Sequence, residues 1–328
     1  MAKNKIKLFL LFIILIFTIV FSIYIGSVYL TKDELILGLF NKESLSGQIL
    51  RVVRFPRLTA SIFAGIALSL SGFIIQSVFA NPLASPSVIG INSGAGFFTA
   101  LSMVIIPNNL FALPLSAFLG ALFTIVFVFS IAKLTGASKL TLILSGIAVN
   151  SLMNAGISTL TNWFPDIIIG MRDFQIGGFS GVTYNTLFPA IIIISIGASL
   201  LLLFSKELEI LELGGEIALS LGLKVSFWRM FFLVLASMLC SAAVSYSGLI
   251  GFVGLIVPHC VRLIFPDAGK RTQSIASILL GSSFLSLCDT VSRSLFSPYE
   301  LPVGIMIAFL GAPFFLWLIF YERKRKHD

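Results

Sequence analysis

A long stretch without formal charge limits what this chain can become. Residues 58–132 contain no Asp, Glu, Lys or Arg, whereas about a quarter of the residues in an average soluble domain are charged. A charge at the centre of a bilayer costs several kcal/mol, so a membrane interior favours such a stretch. One span needs about 20 residues, and prolines within 81–86 and 107–114 interrupt the stretch twice. It therefore predicts three membrane helices.

The whole chain has the composition of a membrane protein. Of its 328 residues, 57% are hydrophobic and 11% are charged. A β-barrel is excluded because barrel strands alternate over about 10 residues, while these runs are apolar on all sides. The net charge of +8 comes from short basic clusters between the apolar runs, which set orientation in a membrane and do not indicate nucleic acid. The chain is predicted to be one all-α polytopic domain, residues 1–328, in contact with lipid.

The apolar runs define the predicted spans. Ten transmembrane helices are expected, at about residues 8–29, 58–80, 90–106, 113–132, 140–162, 187–204, 230–247, 249–264, 274–293 and 303–321. The first run is longer than the apolar core of a signal peptide and has no clear cleavage site, so it is predicted to be retained. With both termini in the cytoplasm, most of the 22 Lys and Arg residues fall on the inner side, as the positive-inside rule requires.

The residue types that usually bind metals or catalyse reactions are sparse. Cys240, Cys260 and Cys288 lie in or beside apolar runs without metal-like spacing, so they are expected to be buried, small apolar side chains. His259 is one of two histidines, and a metal site needs several ligands. A structural or interface role is expected for His259, and no cofactor or metal is expected for the chain.

A series of motifs runs through the chain from about residue 50. In order, they are Arg54-Phe55-Pro56-Arg57, Asn81-Pro82-Leu83-Ala84-Ser85-Pro86, Leu221-Gly222, Gly251 to His259 with Arg262, Asp289 with Arg293, Glu300-Leu301-Pro302 and Gly311-Ala312-Pro313. With these motifs, the chain resembles the permease subunits of bacterial ATP-binding-cassette (ABC) importers for iron–siderophore complexes, haem and vitamin B12. The resemblance implies the type II importer fold, with ten helices per subunit, in the bacterial cytoplasmic membrane.

The resemblance also implies partners and roles. Two permeases, identical or paralogous, form the path between them, two ATPase subunits dock inside, and a substrate-binding protein docks outside. Arg54, Arg57 and Arg293 match the outer arginines that meet acidic residues of the binding protein, and a guanidinium suits bidentate carboxylate pairing. On spacing alone, Arg54 and Arg57 could equally be interfacial residues that snorkel. Asp289 and Arg293 are four apart on one predicted helix, so Asp289 is expected to orient Arg293 or to tie helix ends together.

Two further regions receive a predicted role from the resemblance. Residues 206–225 match the coupling segment that contacts the ATPase, and the residues expected to form its short helix are Gly214, Glu216, Ala218, Leu221 and Gly222. An ordinary surface loop is the alternative. The fifth predicted helix lines the path in the family, which suggests Asn150, Asn154 and Ser158 as lining residues. Interhelical hydrogen bonds are an equal alternative for these side chains.

Other functional classes fit the sequence less well. An ion-coupled secondary transporter usually carries ionisable groups at mid-membrane, and only Asp289 is a candidate here. A membrane enzyme would need a catalytic constellation inside the helices. A self-contained ATPase would need a P-loop, and Gly269-Lys270-Arg271 lacks its first glycine and its Ser or Thr. The chain is therefore predicted to be a non-enzymatic permease whose partner uses ATP, with ferric siderophore as the first choice of substrate and haem or cobalamin as alternatives.

Overall fold

Helices account for most of the chain that the structure describes. The computed structural model describes residues 2–87, 89–107, 109, 111–134, 139–295, 297 and 299–325. The α-helices within these residues are α1 (Ala2–Tyr24), α2 (Lys32–Phe40), α3 (Leu45–Gln48), α4 (Phe55–Phe79), α5 (Ile91–Ile105), α6 (Ala112–Leu134), α7 (Lys139–Trp163), α8 (Ile168–Ile176), α9 (Tyr184–Leu203), α10 (Ser205–Glu212), α11 (Gly215–Ser220), α12 (Val225–Ser247), α13 (Val253–Ile264), α14 (Lys270–Ser294) and α15 (Val303–Arg325).

Seven segments of the described chain are long and apolar enough to cross a membrane. They are α1, the continuous helical segment Leu45–Phe79, α6, α7, α9, α12 and α14. Three further apolar helices are shorter, namely Ile91–Ile105, Val253–Ile264 and Val303–Leu316. The predicted all-helical membrane architecture is confirmed. The count of ten spans stays a prediction, because it depends on these three shorter helices.

Helix α4 lies at the centre of the bundle. In the most apolar part of the segment Leu45–Phe79, which includes α4, 78% of the residues are buried. In the most apolar part of α1 only 17% are buried, so α4 packs among other helices while α1 is peripheral. Two glycines let its backbone touch its neighbours. A Cβ atom added to Gly65 would collide with the backbone of Gly281 in α14, and one added to Gly72 would collide with the carbonyl of Gly254 in α13. Small residues at such crossings allow the close backbone approach that holds membrane helices together.

The first helix ends earlier than the predicted residue 29. The reason is Arg54, whose guanidinium donates hydrogen bonds to the carbonyl oxygens of Ile23, Tyr24 and Val28. These carbonyls lie at and beyond the C-terminus of α1, where backbone acceptors have no helical partner and a cation is favourable. The region 31–57, expected to be a polar connection, contains α2, α3 and a π-helical turn that leads directly into α4.

Two other boundaries also differ from the prediction. Helix α13 begins at Val253 rather than 249, because Gly248 (φ 67°) and Phe252 (φ 61°) adopt the left-handed conformation and interrupt the helix. The predicted interior loop 205–229 contains α10, α11 and the first turn of α12. Residues 135–138 of the predicted basic loop, and the tail after 325, lie outside the described residues.

Polar contacts mark the two ends of the bundle. Because α4 and α14 run in opposite directions, Arg57 near the start of α4 meets Asp289 near the end of α14. At the opposite end, Lys270 at the start of α14 lies 5.3 Å from the ring centroid of Phe73 in α4, and Lys7 donates to the carbonyl of Ile264. We refer to these as the Arg57 end and the Lys270 end.

Candidate functional site

The Arg57 end contains a buried network of charged side chains. Arg57 is 6% exposed and Asp289 is 1% exposed. The Nε and Nη2 atoms of Arg57 donate to both carboxylate oxygens of Asp289 at 3.0–3.1 Å. Its Nη1 atom donates to the Glu300 carboxylate at 2.6 Å. One guanidinium therefore joins α4, α14 and the segment that precedes α15.

The other two predicted docking arginines are also buried. Arg54 binds the end of α1, and Arg293 donates to the carbonyl and hydroxyl oxygens of Ser22 at 2.6 and 2.9 Å. The Nε atom of Arg293 lies 3.9 Å from Asp289, a weaker contact than the Arg57 pair. The picture of three arginines presented at the surface is therefore corrected, because each guanidinium is turned into the bundle and used within the chain. Their contribution to docking stays a prediction.

A cavity of about 870 Å³ opens beside this network. The lining includes Arg57, Glu300, Asp173 of α8, and Ser245 and Tyr246 of α12. The remaining wall combines glycine backbone and small hydroxyl side chains with a larger number of apolar side chains, among them Met103, Phe179 and Val303. The volume lies within the range of small-molecule pockets. The predicted non-spanning region 166–186 thus supplies one wall of a cavity through α8 and the glycine-rich segment that follows.

Backbone contacts hold the cavity wall together. The amide of Gly178 donates to the carbonyl oxygen of Ser247 at 2.8 Å. The amide of Leu249 donates to the carbonyl oxygen of Phe174, also at 2.8 Å. The amide of Gly304 donates to the carbonyl oxygen of Gly177 at 3.2 Å. Gly177 has φ 72°, a conformation that favours glycine. The ends of α8 and α12 and the start of α15 are therefore joined without side chains.

Helix α7 presents a polar face to the outside of the chain. Asn154 and Ser158 are exposed and Asn150 is half-buried. Asn154 donates to the Asn150 side chain at 3.3 Å, and Ser158 donates to the Asn154 carbonyl at 3.0 Å. The structure thus brings the three predicted lining residues onto one exposed face of a helix that is long enough to span a membrane. Among the described residues, contacts with other helices leave Asn154 and Ser158 uncovered.

The predicted coupling segment folds into two short helices. Gly214 (φ 113°) separates α10 from α11, and Gly222 (φ 81°) follows α11. The amide of Leu223 donates to the carbonyl of Ala218 at 2.9 Å, which completes a glycine-terminated helix end. Ala218 is fully buried within the chain, and its part in coupling stays a prediction. Glu216 is exposed.

The exposed apolar face of this segment was not anticipated from the sequence. It consists of side chains that are 52–62% exposed, namely Leu213, Ile217, Leu219 and Leu221. Of these, only Leu221 belonged to the predicted set. The sequence carried a usable signal, since these residues recur within a short charged region where a soluble loop would be polar throughout.

The remaining motif residues have structural contacts. Asn81 follows the left-handed Ala80 at the end of α4, and its side chain accepts from the amide of Leu83 at 3.0 Å, so Pro82 lies within an Asx turn. Pro302 precedes α15, and its carbonyl accepts from Ile305 at 3.1 Å.

Helix α13 carries three motif residues. Pro258 and His259 are buried within it, and Arg262 donates to the side-chain oxygen of Gln76 in α4. The ring of His259 lies edge-on to that of Phe314 at 5.9 Å, and neither ring nitrogen has a hydrogen-bond partner among the described residues. Within the same residues no group of three or more His, Cys, Asp or Glu could hold a metal.

Comparisons with known proteins agree with this architecture. Residues 14–321 match the model of the FecCD transport family. The chain is 32% identical over 328 residues to an Fe(3+)-citrate import system permease of Bacillus subtilis, covering 99% of this chain and 97% of that protein. It is 35% identical over 283 residues to the hemin transport system permease of Yersinia pestis, covering 84% of each.

A solved structure gives the same result for the fold. An ABC transporter of the metal-chelate type, in an inward-facing conformation, superposes with a TM-score of 0.84 at 31% identity and covers 97% of this chain and 99% of its own. The family match extends across nearly the whole bundle, including α4, residues 206–225 and the Arg57 end. The chain therefore belongs to the FecCD transport family, the ABC-importer permeases that its motifs resemble.

Proposed function

We propose that this chain is the membrane-spanning subunit of an ATP-driven importer and translocates a ferric siderophore delivered by an extracytoplasmic binding protein. Membership of the FecCD family supports the permease role. The ferric citrate permease among its relatives supports a ferric chelate as substrate. The hemin permease supports haem as the main alternative, and cobalamin is a further alternative.

The exposed polar face of α7 carries this proposal. Polar groups that face hydrocarbon are unfavourable, so in membrane helices they usually face another helix or an aqueous cavity. Asn154 and Ser158 are exposed on the isolated chain, so this face has to be covered by a second permease or border a water-filled path. A path between two such faces would be weakly polar and uncharged, which suits the passage of a bulky chelate without tight binding.

The two ends of the bundle fit two different partners. The exposed apolar side chains of Leu213, Ile217, Leu219 and Leu221 suit a groove on one ATPase subunit, so two permeases would engage two ATPase subunits. The cavity at the Arg57 end suits the side from which a binding protein releases substrate. This assignment places both termini in the cytoplasm and requires α5, α13 and α15 to cross as the remaining three of ten spans.

If the binding protein docks at the Arg57 end, three buried arginines contribute to docking indirectly, namely Arg54, Arg57 and Arg293. Arg57 fixes the position of Glu300, whose side chain is 32% exposed, while Arg54 and Arg293 attach α1 to the same end. The arginines would therefore maintain the shape of the docking surface.

Alternating access follows when ATP binding closes the ATPase pair and the coupling segments transmit that motion to the path.

Co-purification and reconstitution test the proposal. The tagged chain is expected to bring down an ATPase subunit, and the ligand on its binding protein is expected to be a ferric siderophore when identified by mass spectrometry. Proteoliposomes should accumulate that ligand only with ATP inside the compartment that holds the ATPase. Uptake that survives an ATPase-dead partner would instead favour an ion-coupled transporter, and a haem or cobalamin ligand would select one of the alternative substrates.

A further inference from the structure

A buried lysine lies between the coupling segment and the helix bundle. Lys270 is the first residue of α14 and is 8% exposed. Its ammonium group forms an ion pair with Glu212 of α10, and it lies 3.4 Å from the side-chain oxygen of Gln273. It also lies 5.3 Å from the ring centroid of Phe73, a cation–π distance. Lysine is rarely buried without such partners, so this site is built around its charge.

The neighbouring turn of α10 supplies a second contact to the same helix end. Glu209 accepts from the backbone amide of Lys270 at 3.4 Å. The N-cap residue of α14 is Gly269, which makes no side-chain cap. A carboxylate at a helix N-terminus satisfies free amides and interacts favourably with the helix dipole. Glu209 of α10 therefore caps the N-terminus of α14, and Glu212 of α10 pairs with the side chain of Lys270, the first residue of α14.

The start of α14 is also joined to α13 and thereby to the rest of the Lys270 end. Gln273 donates to the carbonyl of Phe265 at 3.0 Å, and Phe265 is buried directly after α13. Movement of α10 relative to the bundle would therefore have to break the contacts of Glu209 and Glu212 or carry α14 and the end of α13 with it.

Helix α14 continues from this site to the Arg57 end. Its 25 residues correspond to a length of about 37 Å. Near its middle Gly281 packs directly against Gly65 of α4, and near its end Asp289 accepts three hydrogen bonds from Arg57. The helix is thus held by charged groups at both ends and by a backbone contact between them.

We propose that Lys270 is a positioning residue that fastens the coupling segment to α14, so that displacement of α10 by the ATPase moves α14 and reaches the Arg57 end. This inference rests on the proposed function, in which α10 and α11 contact the ATPase. The exposed apolar side chains of that segment receive the displacement, while Glu209 and Glu212 of α10, which contact the start of α14, pass it on through Lys270. Neither acidic residue belongs to the motifs of the family resemblance.

The test measures transmission across the bundle in the assembled complex. Cys240, Cys260 and Cys288 are replaced by serine, and Tyr299→Cys places one thiol in an exposed position beyond the far end of α14. The rate of maleimide labelling of that thiol is compared with and without ATP and vanadate. The parent complex is expected to show an ATP-dependent change in rate.

Lys270→Met keeps the aliphatic stem and removes the charge. It is expected to reduce the ATP-dependent change about fivefold or more, while ATP hydrolysis by the complex continues. Glu212→Gln should reproduce the loss with less disturbance of packing, and the charge swap K270E/E212K should restore at least part of the response. A purely structural role would lower the melting temperature of the complex without separating hydrolysis from the response.

The matched control is Arg271→Met, an exposed cation one position along the same helix, which should retain the parent response. If both Lys270→Met and Glu212→Gln respond like the parent, or if the charge swap is no better than either single variant, the inference is wrong and the proposed function stands. If the parent captures no ATPase and its labelling ignores ATP, the proposed function fails and the inference with it. If Lys270→Met does not assemble, Glu212→Gln and the swap decide.

Discussion

Arg57 and Asp289, 232 positions apart in the sequence, form a bidentate ion pair inside the bundle, with three hydrogen bonds of 3.0–3.1 Å. Both side chains are almost fully buried. Removing one partner of a buried pair leaves an uncompensated charge, which is far more costly than removing both. The pair connects the start of α4 to the end of α14, so it defines how the central helix meets its main neighbour at this end.

Substitution of Asp289 should therefore destabilise the fold. Asp289→Asn leaves Arg57 with only the Glu300 carboxylate, and we expect a loss of about 3 kcal/mol in the free energy of unfolding, measured by titration from mild detergent into denaturing detergent. The double variant Arg57→Gln/Asp289→Asn should lose less than the sum of the single variants. If Asp289→Asn has the same free energy of unfolding as the parent, the ion pair does not make the proposed contribution to stability.

Glu300 should make stability depend on pH in the acidic range. Burial raises the pKa of Glu300, but the hydrogen bond and charge of Arg57 outweigh burial and place the pKa below its ordinary value of 4.5. Since the folded pKa is depressed, the contribution is present above the unfolded pKa and is lost as pH falls through the folded value. The difference in melting temperature between the parent and Glu300→Gln should thus shrink below about pH 4. A constant difference would exclude this linkage.

Gly72 should tolerate no side chain. A Cβ atom at this position would overlap the carbonyl group of Gly254, so Gly72→Ala has to separate α4 from α13. We expect a loss of about 1–3 kcal/mol in stability from this overpacking, measured in the same detergent titration. The control is Gly178→Ala, where the nearest atom would be 3.9 Å away and little change is expected. Equal effects at the two glycines would show that the crossing is not tight.

The exposed face of α7 should matter for transport rather than for folding. Ser158→Leu places an apolar side chain on that face and should reduce uptake of radiolabelled ferric citrate, or of the ligand identified on the binding protein, about tenfold. Ser199→Leu is the matched control, because Ser199 of α9 is also exposed and also donates to the carbonyl four residues earlier. If both variants reduced uptake equally, the face of α7 would have no special role.

The two sides of α11 should respond differently to substitution. Leu219 is 62% exposed and Ala218 is fully buried. Leu219→Arg should keep the melting temperature and weaken capture of the ATPase subunit about tenfold or more, because the contact would then bury a charge without a partner. Ala218→Leu should instead lower the melting temperature through overpacking. Unchanged ATPase capture by Leu219→Arg, in pull-down at matched expression, would remove the exposed leucines from the interface.

The orientation of three motif arginines could not be predicted from the sequence, namely that of Arg54, Arg57 and Arg293. Their spacing and the resemblance predicted that they lie at one end of the bundle, and the structure places them there. Their direction could not be read from the sequence, because the groups that bury them come from distant parts of the chain: Asp289 for Arg57, Ser22 for Arg293 and the end of α1 for Arg54. An arginine followed by an apolar run looks the same whether it points outward or inward.

The membrane class, the all-helical architecture, the family and the approximate positions of the long helices could all be predicted from the amino-acid sequence. Each of these depends on local hydrophobicity, proline or motif order, which neighbouring residues encode. Only the tertiary structure decided that Ala218 is buried while Leu219 is exposed, that Lys270 joins α10 to α14, and that Arg57 bridges Asp289 and Glu300. These facts depend on which helices meet and at which depth, and contacts between residues far apart in the chain leave no local pattern in the sequence.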